Sequence, residues 1–262
     1  MEVALLQTNG FNQLRKARHG YILYNKNDKY IGRSIAHYGE FSELEIKLFK
    51  QICKKGDIVV EAGANIGTHT LALSQLVGET GKVFAFEPQR IVFQTLCANM
   101  ALNSITNVYA YQTALSDRQG HVMIPDIHYD REGNFGGVEI SKFTEGHPVP
   151  QIKLDDLTEI EKLDFLKIDV EGMEKEVLDG AEKLIRQYRP VMYIENDRKE
   201  KSEALMNKIK VLGYKIYAHN PLLYNADNFD KKSENLFGRI VSKNLLCIPE
   251  ESGIVLKNFH AL

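Results

Sequence analysis

Asp57-Ile-Val-Val-Glu-Ala-Gly-Ala-Asn-Ile-Gly-Thr-His-Thr-Leu-Ala-Leu73 is the stretch from which the fold is read. Its β-branched run Ile58, Val59 and Val60 makes a short buried strand, Gly63 to Gly67 permit a tight turn, and from Thr68 the composition is helical. A strand that feeds a helix through a glycine loop lets a ligand approach the backbone closely. The helix start then offers it unpaired N–H donors. The stretch reads as the binding loop of a nucleotide-type cofactor.

Upstream, Leu44, Leu48 and Ile52, with Ile46, Phe49 and Cys53 beside them, fall at helical spacing and stop at Lys54-Lys55-Gly56. Before them, 20–25 and 28–33 alternate like a hairpin around Asn25 to Asn27. Residues 1–55 are thus expected to form an appendage of hairpin and helix, packed on a main domain over 56–262.

Downstream, strand and helix alternate. Lys82 to Glu87 is a second strand, Gln89 to Leu102 a helix and Asn107 to Leu115 a third strand. After a break come a strand from Leu163 to Asp169, a helix from about Gly172 to Tyr188, a strand from Pro190 to Glu195 and a helix from Lys199 to Leu212. Tyr214 to His219 and Ile240 to Ile248 complete the set as strands. This alternation predicts an α/β fold with a mostly parallel sheet, right-handed crossovers and helices on both faces. Ligands bind such sheets outside the carboxyl ends of the strands, so the Gly63 loop, Glu87 and the Ser116-Asp117 turn should share one crevice. Between Asp117 and Leu154 periodicity lapses; His121 to Pro125 reads as an edge strand and Tyr129 to Gly137 as a loop over the site.

Composition bounds the function. Over 262 residues, 44% are hydrophobic and 26% charged, ordinary for a globular chain, and the net charge of -2 gives no reason to expect a nucleic-acid or membrane partner. Cys53, Cys97 and Cys247 have no paired spacing, which points to reduced thiols rather than a disulfide framework or zinc site. No signal peptide or membrane span is legible, and the expected location is cytoplasmic.

The loop discriminates between cofactors. A dinucleotide fold wants Gly-x-Gly-x-x-Gly, but here Asn65 interrupts the glycines and Glu61 opens the motif. An acid at the end of the first strand repels a phosphate yet accepts a hydrogen bond from an ammonium group or from water near it. The loop therefore disfavours NAD and favours S-adenosylmethionine, which has an amino acid and no phosphate. Glu87, 24 residues beyond Gly63 (87 minus 63), stands where a ribose-binding acid belongs.

Three blocks, Val59-Val-Glu-Ala-Gly-Ala-Asn-Ile-Gly67, Ala85-Phe-Glu-Pro-Gln-Arg90 and Leu166-Lys-Ile-Asp-Val-Glu-Gly-Met-Glu174, together resemble the FkbM family of S-adenosylmethionine-dependent methyltransferases. The resemblance runs from about Gly56 to Glu195. Asn134-Phe-Gly-Gly, Glu195-Asn-Asp-Arg and Asn228-Phe look like a bacterial branch of it. It implies a class I methyltransferase (Rossmann-like) sheet of seven strands, the last inserted antiparallel. Carried over by residue, it implies that Glu61, Gly63, Ala64, Asn65, Ile66 and Gly67 line the methionine end of the cofactor, with Thr68, His69 and Asp169 beside them. Glu87 and Pro88 would hold the ribose, and Thr113, Ala114, Leu115 and Ser116 flank the adenine. The family more often has Asp where this chain has Glu61.

Candidate chemistry gathers at Asp169, Glu171 and Glu195. Asp169 or Glu171 would be the general base for an acceptor hydroxyl, against the alternative that a carboxylate at a helix start is only a cap. Asp169 with Glu195-Asn196 also resembles the set that holds magnesium in catechol-type methyltransferases, which makes a divalent cation a candidate cofactor. His219 is a further candidate base near neutral pH. The expected acceptor is a sugar, glycan or other hydroxylated metabolite. Peptide side-chain amides are the alternative, and an NAD-dependent dehydrogenase or a non-catalytic binding module are the competing classes.

Overall fold

The computed structural model describes residues 6–7, 10–254 and 262. In chain order, β1 (Leu6–Gln7), β2 (Asn12–Ala17) and β3 (Gly20–Asn25) precede α1 (Ile31–Tyr38) and α2 (Glu43–Ile52). Then follow β4 (Ile58–Ala62), α3 (Thr68–Val77), β5 (Lys82–Phe86), α4 (Arg90–Leu102), β6 (Val108–Tyr111), β7 (Ala114–Leu115), β8 (Gly120–Ile124) and β9 (His147–Ile152). The last part holds β10 (Phe165–Ile168), α5 (Glu174–Gly180), α6 (Glu182–Tyr188), β11 (Val191–Glu195), α7 (Lys199–Val211), β12 (Tyr214–His219) and β13 (Asn244–Pro249).

Seven strands form the central sheet in the order β12-β13-β11-β10-β4-β5-β6, and β13 runs antiparallel to both neighbours. The expected architecture, including the inverted last strand, is the one present. Val59 and Val60 are both 0% exposed because a parallel sheet is covered on both faces. On one face Val60, Leu166, Met192 and Ile194 pack with Leu178, Ile185 and Ile209 of α5, α6 and α7. On the other, Val59, Phe165 and Tyr193 pack with Phe49 of α2 and Leu73 of α3. Strand ends that share this core are held in register, so residues at their carboxyl ends are positioned by the sheet itself.

Four local expectations are corrected. Gly20–Asn25 pairs with Asn12–Ala17, not with 28–33, because the Asp28 carboxylate accepts the N–H groups of Tyr30 and Gly32 and starts helix α1. The third strand ends at Tyr111, and Ala114–Leu115 crosses to a separate small sheet, β7-β9-β8, where His121 lies in the edge strand β8. The single helix expected over 172–188 starts at Glu174, since Glu171 and Gly172 have left-handed φ of 54° and 95°. It then breaks at Ala181, whose φ and ψ of -117° and 6° are not helical. Finally, 240–243 are not strand: β13 begins at Asn244.

Side-chain amides tie the N-terminal hairpin to the body, and one of them is fully buried. Asn99 of α4 is 0% exposed; its Oδ1 accepts the Leu23 N–H (2.6 Å), and its Nδ2 donates to the carbonyls of Leu23 (3.0 Å) and Ile66 (2.7 Å). One side chain thus joins the hairpin, α4 and the glycine loop. Asn99→Leu, which leaves these backbone groups unsatisfied, is expected to lower stability by about 2–4 kcal/mol; urea denaturation followed by circular dichroism measures it.

Candidate active site

The loop after β4 folds back on the ends of its neighbours. Gly63 and Ala64 donate their N–H groups to the Phe86 carbonyl at the end of β5 (3.0 and 2.9 Å). Gly63 has φ of +79°, and a Cβ there would lie 1.8 Å from the Asp169 carbonyl oxygen, so only glycine fits between β4 and β10. Asn65 is left-handed at +51°, its Oδ1 accepts the Ile66 N–H, and its own N–H reaches Glu87 (3.0 Å). Asparagine suits that conformation, which explains the residue that breaks the glycine series.

Glu87 closes the first part of the site. One carboxylate oxygen accepts the Gln89 N–H (2.8 Å), the other that of Asn65, and both keep acceptor capacity. Burial pushes the carboxyl up to about 7. Beside it lies a cleft of about 460 Å³ walled by Pro88, Thr113, Ala114, Leu115 and Met173. Ser116 is 1% exposed, is not a wall of this cleft and bonds Asp117 (3.1 Å). The segment 129–137 roofs the site: Asn25 and Asn27 amides hold the Tyr129 carbonyl (2.8 and 3.0 Å), and Gln89 Nε2 holds that of Phe135 (2.9 Å). Gly136, on the wall of both clefts, sits so close to Asn65 that a Cβ would be 2.5 Å from its Nδ2.

A larger cleft of about 1000 Å³ continues past Gly63, Ala64, Asn65, Thr68 and His69 toward the ends of β10 and β11. Ile66, though next to these, is turned into the core with Leu71 and Leu96. Glu61 is 0% exposed and does not line either cleft. It accepts the Thr70 hydroxyl (2.6 Å) and faces Lys167 Nζ at 3.9 Å; burial raises it to about 7. The acid expected at the cofactor's methionine end is therefore occupied inside the protein. Lys167, missed by sequence reading, is buried beneath the cleft and bonds Asp169 (3.1 Å). Burial alone would discharge it, but Asp169, Glu61 and Glu45 hold its pKa above the usual lysine value. Its signal was a lone charge inside the apolar strand Phe165–Ile168.

At the strand ends, Asp169, Glu171 and Glu195 each offer a carboxylate oxygen within 4.8 Å of the other two. Burial and then the Asp169 charge push Glu171 up to about 8, and burial with the same neighbours carries Glu195 well above its ordinary value. Arg198 pairs with Glu171 (2.6 Å), whereas Glu195 Oε2 is buried without a hydrogen bond. Three hard oxygen ligands suit a divalent cation. Asn196, the amide of the expected set, instead donates to Ser202 (2.9 Å), and Glu171 stands in its place. His219 does not line either cleft; it bonds the Tyr193 hydroxyl through Nδ1 (2.8 Å), and burial lowers its pKa.

The seven-stranded sheet with its inverted last strand, and the glycine loop that follows β4, are those of the class I methyltransferase fold. The Methyltransferase FkbM domain model matches residues 61–216, and the chain belongs to that family; the matched part is an S-adenosylmethionine-dependent methyltransferase domain. The chain is 29% identical over 156 residues to Methyltransferase sdnD of Sordaria araneosa, an alignment covering 47% of this chain and 60% of that protein. It is 32% identical over 139 residues to the hexuronic acid methyltransferase AglP of Haloferax volcanii, covering 52% and 54%. It thus spans less than two thirds of the length of these relatives. An FkbM methyltransferase structure from Methylobacillus flagellatus superposes with a TM-score of 0.50 at 16% identity over 78% of this chain and 50% of that one, which shows the shared fold. Among the described residues no helix is long and apolar enough to cross a membrane.

A carboxylate accepts two ribose hydroxyls only when ionised, and below its pKa of about 7 Glu87 carries a proton. Affinity for S-adenosylhomocysteine is therefore expected to rise with pH, by about tenfold between about pH 6 and about pH 8. Titration calorimetry across that range checks it, and Glu87→Gln should reduce the dependence.

Proposed function

We propose that this chain transfers the methyl group of S-adenosylmethionine to a hydroxyl oxygen of a neutral sugar or similar polyol. The observation that carries this reading is the carboxylate cluster Asp169, Glu171 and Glu195, which faces the larger cleft across the glycine loop from Glu87. The adenosine would occupy the smaller cleft with its ribose on Glu87, and the sulfonium would lie over Gly63 near the cluster. The acceptor oxygen attacks the methyl carbon, the carbon–sulfur bond breaks, S-adenosylhomocysteine leaves, and the hydroxyl proton passes to a carboxylate. Glu195 suits that role because one of its oxygens has no other partner. A carboxyl whose proton affinity burial has raised is, when ionised, a better base than an ordinary carboxylate. Alignment can supply on the order of 7–11 kcal/mol and the base about 10²- to 10⁴-fold, so holding the reactants in line carries most of the acceleration.

The acceptor class follows from charge. The larger cleft is walled by Glu45, Glu87, Asp169, Glu171, Glu195 and Asp197 against Lys167 and Lys243. Where these acids are ionised, their excess over the two lysines opposes a uronate and accepts a neutral polyol, while the name of the hexuronic acid methyltransferase supports a sugar. A divalent cation on Asp169, Glu171 and Glu195 would lower the pKa of the acceptor hydroxyl; loss of turnover on chelation and its return with magnesium test that component.

The deciding experiment incubates the protein with S-adenosylmethionine and a panel of neutral sugars, uronates, polyols and peptide amides, and reads S-adenosylhomocysteine. Neutral hydroxylated acceptors are expected to turn over; turnover confined to peptide amides would replace oxygen with nitrogen as the acceptor. Glu195→Gln is expected to lower kcat by about 10²- to 10⁴-fold while S-adenosylhomocysteine affinity by calorimetry stays within about threefold.

A further inference from the structure

Glu45 and His69 stand together on the wall of the larger cleft, and no step above uses them. Glu45 belongs to α2, upstream of the matched segment 61–216. It is 4% exposed, and the Asn244 amide lies 3.5 Å from its Oε1. Its Oε2 is 3.7 Å from Nε2 of His69, a residue 6% exposed whose Nε2 is buried without a hydrogen bond. That gap is too long for the two atoms to satisfy each other. Burial, helped by the Lys167 charge, holds His69 well below its ordinary pKa, so its ring is neutral and one nitrogen accepts. Ser242 and Asn244 donate to the Glu45 carboxyl, which keeps further acceptor capacity, whereas Nε2 of His69 is a buried polar atom left without a partner, which is costly unless something bonds it.

Resting on the methyltransferase reading above, we propose that Glu45 and His69 receive the α-ammonium of the cofactor's methionine portion. An ammonium carries three N–H donors and a positive charge, so it can bond Glu45 Oε2 and His69 Nε2 together and offset the buried carboxylate. A hydroxyl has one donor and cannot serve both. Position agrees: His69 lies in the first turn of α3, directly after the Gly63 to Gly67 loop, where the methionine end lies if the ribose is on Glu87. Glu61 is not placed for the role, since it is 0% exposed and lines neither cleft. A residue outside the matched segment thus completes the cofactor site, and helix α2 becomes part of it.

The test compares S-adenosylhomocysteine with 5′-methylthioadenosine, which has the same adenosine and lacks the amino-acid end, by calorimetry on the wild-type protein and Glu45→Gln. Wild type is expected to bind both. Glu45→Gln should weaken S-adenosylhomocysteine by about 10- to 100-fold and leave 5′-methylthioadenosine unchanged, which also shows that the variant is folded. Equal weakening of both ligands would make Glu45 a structural residue and overturn the inference. Unchanged S-adenosylhomocysteine affinity would overturn it alone, whereas a wild-type protein that binds neither ligand overturns the methyltransferase reading as well.

Discussion

Gly63 has no side chain, and the carbonyl oxygen of Asp169 fills the place where one would stand. That backbone approach draws the ends of β4 and β10 together and sets the distance between the two halves of the site. On one side the loop hands its N–H groups to Phe86 and Glu87; on the other, Asp169 turns the chain toward Glu171. Any substituent at Gly63 would part these halves before it touched a ligand. Glycine stands here because the sheet leaves no volume for anything else.

Electrostatics then divides the acids of the site into those that serve the protein and those that face the clefts. Lys167, at the centre of the sheet, engages Glu61 and Asp169 and is held charged by them. Its desolvation would be prohibitive alone and is offset only because several carboxylates surround it. Glu61 is thereby committed to the interior, and its methylene-longer side chain, compared with the aspartate more usual in the family, also reaches Thr70. Glu45, Glu87 and Glu195 keep an open side. Burial raises the proton affinity of each, as it does that of Glu61, so what separates the two groups is which of them line a cleft.

The N-terminal segment also shapes the site. Asn25 and Asn27 fasten the Tyr129 carbonyl, Asp28 pairs with Gly133, and Asn99 bonds both the hairpin and the carbonyl of Ile66. The roof over the smaller cleft is therefore held by residues far away in sequence. Its own stretch carries little regular pattern, because loops ordered by side-chain amides and backbone bridges leave no periodicity to read.

The parallel sheet, its inverted last strand, the glycine loop and the positions of Glu87, Asp169, Glu171 and Glu195 were legible in the sequence, because each depends on local pattern: apolar runs, turn residues and strand ends. Partners were not. That Glu61 would be spent on Lys167 and Thr70, that Ala114–Leu115 would leave the central sheet, that Asn196 would yield its place to Glu171, and that Glu45 would meet His69 are contacts between residues remote in sequence. One chain's order of residues determined which strands would form and what stood at their tips; the tertiary structure alone decided which of those groups face a cleft and which face one another, because burial and pairing exist only once distant segments share a common wall.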